Sequence, residues 1–328
     1  MMTNKNEDKE TKSKLEVNTP HDRAVQKFLQ EIDTARSFFS EYLPGEIKAL
    51  LDLDSLEYMK EKFVDENLAK YYSDFLYQVN FKGNINGFIF LLLEHKSWPE
   101  RFTAFQALKY MVHVWDLYLA NHDKAKFLPP VLPLVLYHGK NKWNLGDRFS
   151  KLFNTPVPLQ VFIPDFRFLL LDISHEPDEN IKGEPLLQIL LKTLKYIFKP
   201  GIKDKLPEII QLFEKIKDKN TALDYLAALI TYLVNAAGNL DNEEIEVTVS
   251  KVFSEGGEIM ATIAEKLINQ GIEKGIDQGI NKGKWDVVMN MLQEGASIDF
   301  ISKVTGFTPY QIKEFEEKLR EQQENAVA

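Results

Sequence analysis

The alternation of apolar and polar positions divides the chain into a mixed α/β part followed by a long helical part. Thr19-Pro20 is a helix-start signal, a capping side chain followed by proline in the first turn. After it, Val25, Phe28, Leu29, Ile32, Ala35, Phe38 and Phe39 recur at spacings of three and four. This predicts one amphipathic helix ending near Leu43-Pro44-Gly45. Ser55 to Phe63 alternates weakly and reads as a first strand. Two β-favouring apolar runs follow, Phe75–Phe81 and Phe88–Leu93, split by Lys82-Gly83-Asn84-Ile85-Asn86-Gly87. Gly and Asn concentrated between such runs mark a hairpin turn. Trp98-Pro99-Glu100 opens a helix whose expected buried stripe is Phe102, Phe105, Leu108, Met111 or Val112, and Trp115. Pro130 to Tyr137 is an almost wholly apolar strand. Pro133 suggests that it starts near Leu134, because proline cannot donate to a ladder. Phe166–Ile173 is a further strand, with Asp172 as a cap or turn residue. The order α-β-β-β-α-β-β fits a short mixed sheet with helices on its faces.

From Gly183 to Asn239 the periodicity is helical. Gly271, Gly275, Gly279 and Gly283 then recur every fourth residue. In a helix each glycine costs about 1 kcal/mol against alanine, so the repeat is either a helix with a partner backbone packed in its groove, from this chain or from a second copy, or a flexible low-complexity spacer. Lys284 to Leu319 has a helix-turn-helix outline. Its last helix matches Lys313, Lys318 and Arg320 with Glu314, Glu316 and Glu317, which favours protein contact over DNA reading. The expected division is a disordered tail at 1–19, an α/β core at 20–180, a helical extension at 181–240, a linker and Gly-repeat helix at 241–284, and a small helical unit at 285–328.

Composition narrows the chemistry. Hydrophobic residues make up 44% of the 328 positions, which suits a globular chain with a sizeable core. There is no cysteine, so disulfides, thiolate zinc sites and cysteine nucleophiles are excluded, and a reducing cytoplasm is compatible. The N-terminal stretch is charged, without the apolar segment of a signal peptide, and no apolar run is long enough to span a membrane. A net charge of −9 argues against a nucleic-acid partner. The segment His95–Lys151 runs the other way, with nine Lys or Arg against four Asp or Glu, and phosphate contacts depend on the local face.

The hairpin carries the candidate chemistry. With its turn centred near Asn84, antiparallel partners have numbers summing to about 168, which sets Asp74 opposite Glu94. Alternation puts Glu94 and Lys96 on one face. Two carboxylates and an amine so gathered can hold a hard divalent cation with open positions for water and phosphate. The lysine can orient or deprotonate the attacking water, or offset phosphate charge. His138-Gly139-Lys140-Asn141-Lys142-Trp143-Asn144 leaves its strand as a basic loop able to touch a phosphate backbone and stack on a base through Trp143.

Four blocks carry a resemblance: Pro20-His21-Asp22, Tyr72-Ser73-Asp74-Phe75-Leu76-Tyr77, Leu93-Glu94-His95-Lys96-Ser97 and Leu134-Val135-Leu136-Tyr137-His138-Gly139. In this order they resemble the Rpn family of recombination-promoting nucleases, also labelled putative transposases, over roughly His21 to Asp172. Ser73 stands where the superfamily pattern has proline, and Lys96 where many relatives look like glutamine. The resemblance implies a PD-(D/E)XK restriction-endonuclease-like core, a mixed sheet flanked by helices, with an α-helical C-terminal region. It implies DNA as substrate, recombination or mobile elements as setting, and Mg²⁺, replaceable by Mn²⁺, as cofactor. Asp74, Glu94, Lys96 and Gln106 are then the catalytic candidates. Asp74, Glu94 and the backbone carbonyl of His95 are the metal ligands. Glu31 is a further acid that could point toward the hairpin. Arg101, Lys109, Lys140 and Lys142 are candidates for phosphate contact. The competing expectations are a catalytically idle DNA- or protein-binding member of the same fold, and RNA cleavage by the same site.

Overall fold

The computed structural model describes residues 19–59, 75–83, 87–238, 240–253, 255–313 and 315–316. Asp74, the turn residues 84–86, positions 60–63 of the expected first strand and all but Thr19 of the expected tail lie outside the described residues. The chain divides into two compact units after Met260.

In the first unit, Thr19 caps α1 (Pro20–Leu29) through a capping box, its side chain accepting from the Asp22 amide while the Asp22 carboxylate accepts from the Thr19 amide at 3.0 Å. The single long helix expected here is two, α1 and α2 (Ile32–Tyr42). Phe28 and Ala35 stand seven residues apart, two helical turns, so the apolar stripe keeps its phase across the break and conceals it. A short helix, α3 (Gly45–Leu50), leads into β1 (Leu51–Tyr58), which starts earlier than the alternation indicated.

Strands β2 (Phe75–Phe81) and β3 (Phe88–Lys96) form the expected hairpin. Phe75 faces Leu93 and Asn80 faces Phe88, the register of a turn centred at position 84. Gly83 (φ 69°) and Gly87 (φ 129°) take left-handed conformations at its ends, which glycine adopts without a Cβ clash. Helix α4 (Thr103–Asn121) follows, then β4 (Val131–Tyr137) and β5 (Leu169–Asp172). The sheet order is β1-β2-β3-β4-β5, with β1, β2 and β3 antiparallel and β3, β4 and β5 parallel. The fold is α/β, a mixed sheet flanked by helices, as a PD-(D/E)XK-like core requires.

Strand β4 includes Pro133, contrary to expectation. Alternation turns Pro133 away from β3 and toward β5, whose pairing begins only at Leu134–Leu169. The missing N–H therefore meets no strand. Strand β5 is shorter than expected. Asp172 accepts from the amides of Trp143 and Ser174, each at 3.0 Å, the turn-closing role expected for it.

The two faces of the sheet have different covers. Phe90 and Leu92 pack on Met111 and Val114 of α4, and Val135 and Tyr137 pack with Ala104, Trp143 and Phe168. The other face meets α1 and α2, where the Tyr77 hydroxyl donates to the Leu29 carbonyl and its ring meets Phe39 edge-on. Helices α5 (Pro185–Tyr196) and α7 (Lys219–Ala236) complete that layer against α1. The buried stripe of α4 is Thr103, Ala104, Ala107, Met111 and Val114. Phe102 and Phe105, expected inside, are 55% and 48% exposed, because the small alanines let the helix approach the sheet closely and turn the bulky rings outward.

In the second unit the Gly-repeat segment is helical, part of α9 (Gly256–Gln293). A Cβ added at Gly279 or Gly283 would meet nothing within 4 Å, so the described residues supply no backbone to that groove. Val288, Ile301 and Ile312 form a small core around α10 (Ile298–Thr305), which Ser297 starts and Gly306 (φ 79°) ends. Among the described residues no helix is long and apolar enough to cross a membrane.

Candidate active site

Strand β3 lies between two neighbours and is buried from Ile89 to Glu94. Its apolar run delivers Glu94 into a nearly closed position, the side chain 8% exposed. Glu94 Oε1 lies 2.7 Å from Lys96 Nζ, and its Oε2 is buried without a hydrogen-bond partner among the described residues. Buried anionic oxygens are normally bonded, so this lone pair marks a site for a cation or donor.

Lys96 is held from three sides. Its ammonium donates to Glu100 Oε2 at 2.9 Å and to Gln106 Oε1 at 2.8 Å besides meeting Glu94, and the Gln106 amide donates to Glu100 Oε1 at 2.8 Å. Burial alone would push the Lys96 ammonium down, but the facing Glu94 carboxylate, with Glu100 behind it, outweighs burial and raises its pKa. With these carboxylates around it Lys96 is a cation at neutral pH, suited to orient water or meet phosphate. Glu100 is a member of this network that the sequence reading passed over; its offset of four from Lys96 was the available signal.

The residue between them faces the other way. His95 Nδ1 donates to Asp22 Oδ1 at 3.2 Å. An ionised carboxylate only accepts, so this bond places the proton on Nδ1. The imidazole stacks on His138 with centroids 4.8 Å apart, and His138 stacks on Phe198 and donates from Nδ1 to the Leu194 carbonyl at 3.1 Å. Among the described residues neither ring's buried Nε2 has a hydrogen-bond partner. His21 joins them, its ring 5.3 Å from His138 and its Nδ1 2.7 Å from the Tyr232 hydroxyl. Burial, then the neighbouring His95, lowers the pKa of His21 to about 4. Burial pushes Asp22 up, but the bonds from His95 and Thr19 prevail and leave it at about 2. This cluster fixes β3 from behind, and the His138 amide adds a 3.1 Å bond to the Lys96 carbonyl. Alternation directs the His95 carbonyl to the β2 side.

The structure thus brings together Glu94, Lys96 and Gln106. Asp74 lies outside the described residues, and among those no group of three His, Asp or Glu side chains converges in metal-ligand geometry. Arg101 is exposed on the segment that carries Glu100, and Lys109 is exposed one helical turn beyond Gln106. Lys142 is exposed, and Lys140 lies over the Phe198 ring, on the histidine side. Trp143 is not a stacking surface: it is buried, with its indole N–H donating to the Gly146 carbonyl at 2.8 Å. Glu31 is also placed elsewhere, as the N-cap of α2, near Tyr225 of α7, whose pKa burial raises first and the Glu31 charge raises further.

The profile of the family described as "Putative transposase, YhgA-like" matches residues 19–224, the stretch that holds every part of this site. The chain belongs to that family. It is 31% identical over 288 residues to the recombination-promoting nuclease RpnC of Escherichia coli (strain K12), covering 87% of this chain and 93% of the relative. It is likewise 31% identical over 268 residues to RpnD of Escherichia coli O157:H7, covering 76% and 95%. The family also contains proteins named inactive: RpnE of Escherichia coli (strain K12) is 24% identical over 88% of this chain and 95% of its own length. No solved structure matches the chain.

Proposed function

We propose that this protein is a divalent-metal-dependent DNA endonuclease that hydrolyses phosphodiester bonds in a recombination or mobile-element setting. The observation that carries this reading is the buried Glu94 carboxylate, one oxygen bonded to Lys96 and the other without a partner among the described residues. A hard cation suits that oxygen. Asp74, the residue before β2 in sequence, and the His95 carbonyl would complete the protein's share of a Mg²⁺ or Mn²⁺ site, the remaining positions going to water and phosphate. The ion would supply Lewis-acid stabilisation of the developing phosphorane charge and acidify a bound water.

The chain's own residues do the rest. Lys96, kept protonated by Glu94 and Glu100, donates a hydrogen bond to the attacking water and offsets phosphate charge. Gln106 and Glu100 hold the ammonium in place, so its orientation is set before substrate arrives. Arg101, Lys109 and Lys142 contact backbone phosphates, which position a substrate without reading its sequence; Lys140, on the histidine side, is left out of that role.

The test is nicking of supercoiled plasmid by purified protein with Mg²⁺ or Mn²⁺, beside Asp74→Ala and Glu94→Gln. Activity in the parent chain and its loss in both variants is expected; equal nicking by all three refutes the reading. A second reading, an idle DNA- or protein-binding member, is favoured by the threefold engagement of Lys96 and by the inactive-named relative. Mn²⁺ titration separates the two: saturable binding that Glu94→Gln abolishes belongs to the working enzyme.

A further inference from the structure

Three large aromatic side chains stand in the open beside Lys96. Trp98 is 58% exposed, Phe102 55% and Phe105 48%. Large exposed apolar side chains gathered in one place mark recognition sites. Their placement is fixed by the polar network. Trp98 follows Lys96 by two residues, and Glu100, midway between Trp98 and Phe102, is tied to both Lys96 and Gln106. Phe102 precedes Gln106 by four residues, with the Gln106 backbone amide donating to the Phe102 carbonyl at 2.9 Å, so its ring lies on the side of the glutamine that holds the lysine, and Phe105, three residues after Phe102, extends that side away from Gln106. Arg101, also exposed, sits within the same run.

We propose that Trp98, Phe102 and Phe105 form a stacking platform for unpaired bases, and that the substrate is DNA with a single-stranded segment at the scissile phosphate. This deepens the nuclease reading above and rests on it for the cleavage step alone. Inside a duplex both faces of each base are covered by neighbours, so a protein ring can stack only on a base at an end, a fork, a gap or a single strand. Rings with an interleaved arginine are the common means of holding such strands without reading sequence. With bases on the platform, the sugar-phosphate chain runs past Arg101 toward Lys96 and Glu94.

Trp98 supplies its own reporter. Trp143 is buried, and Trp115 and Trp285 are half-buried. In EDTA, an oligothymidylate of about 20 nucleotides should quench the tryptophan emission saturably, and the matching duplex should bind at least about tenfold more weakly. Trp98→Phe should remove the quenching while labelled-strand anisotropy still shows binding; Trp98→Ala and Phe102→Ala should each weaken that binding by about tenfold. These rings are exposed, so folding is not at risk, and unchanged far-ultraviolet circular dichroism verifies it. Equal affinity for strand and duplex overturns the proposal, as does strand binding that the alanine variants leave unchanged. Tighter binding of an oligouridylate overturns the choice of DNA. Concentration-dependent self-association abolished by Phe102→Ala would assign the surface to a second copy instead. Strand binding without any cleavage would refute the nuclease reading and leave the platform standing; cleavage of duplex without preference would do the reverse.

Discussion

Lys96→Met is the most exposing single change in this molecule. It removes the cation that lies 2.7 Å from Glu94, in a place where the carboxylate is 8% exposed and its second oxygen has no partner among the described residues. Breaking a buried pair by deleting one member costs about 3–5 kcal/mol, because the other charge stays buried and uncompensated. The carboxyl can escape by taking a proton. Referred to the unfolded chain, where a glutamate titrates near 4.3, and at 1.36 kcal/mol per pH unit, that escape costs about 4 kcal/mol at pH 7 and about 1 kcal/mol at pH 5. The loss should therefore reach about 3–4 kcal/mol at pH 7 and shrink to about 1–2 kcal/mol at pH 5, where the orphaned acid is neutralised cheaply. Glu94→Gln made in the same chain should recover at least about 2 kcal/mol at pH 7, since the double variant has no charge left to bury. Urea unfolding of the parent, both single variants and the double variant, with constant m, gives four free energies at each pH. A Lys96→Met cost independent of pH, or a double variant as unstable as the sum of the singles, would refute the claim that Glu94 is a charged, desolvated group dependent on this lysine.

Asp22→Ala should cost about 1–3 kcal/mol, because it strands the His95 N–H in a buried place and removes the carboxylate of the Thr19 capping box; Asp22→Asn, which keeps an acceptor, should recover most of this in the same urea titration. The fold should lose stability on acidification between pH 6.5 and 4. In that window the unfolded chain binds a proton at His21 that the folded chain refuses, since its folded pKa is about 4. His21 contributes about 2 kcal/mol of loss after allowance for solvent screening; His138, whose pKa burial and then the neighbouring imidazoles also lower, adds to it, so His21→Gln should reduce the slope without abolishing it. Below that window the Asp22 carboxylate adds a second loss, complete only near its folded pKa of about 2; a flat profile above pH 4 would refute the assignment of a neutral, buried His21. Gly139→Ala should cost about 1–3 kcal/mol by overpacking, because its Cβ would run into the ring and hydroxyl of Tyr137, a fully buried side chain; differential scanning calorimetry would check it.

Much of this arrangement was legible in the sequence wherever a local rule dominates. The Gly-Asn turn and two apolar runs of similar length left one register for the β2–β3 hairpin, and that register is observed between Phe75–Leu93 and Asn80–Phe88. The side-by-side placement of Glu94 and Lys96 follows from strand alternation alone. Other features depended on neighbours far away in sequence. Pro133 was read as a strand breaker because a lone strand does not reveal that β5 starts one residue later. The face of α4 was misplaced because large aromatic residues were taken to mark the interior, whereas the contact is made by Thr103, Ala104 and Ala107. The break at Gln30–Glu31 kept the apolar phase and so left no trace in the pattern. The cluster of His21, Asp22, His95 and His138 joins a helix, two strand ends and α7, contacts that no spacing rule encodes.

The alternation of β3 has a consequence for reading the family. Consecutive residues of one strand serve opposite surfaces, so Glu94 and Lys96 are riveted, through the residue that separates them, into the helices on the far side of the sheet. A member of the family can then keep every polar group of the front and still be disabled from the back, by loss of the aspartate at the start of its first helix or of the imidazole it grips. Sorting living members from dead ones by the front-face residues alone will misfile such cases.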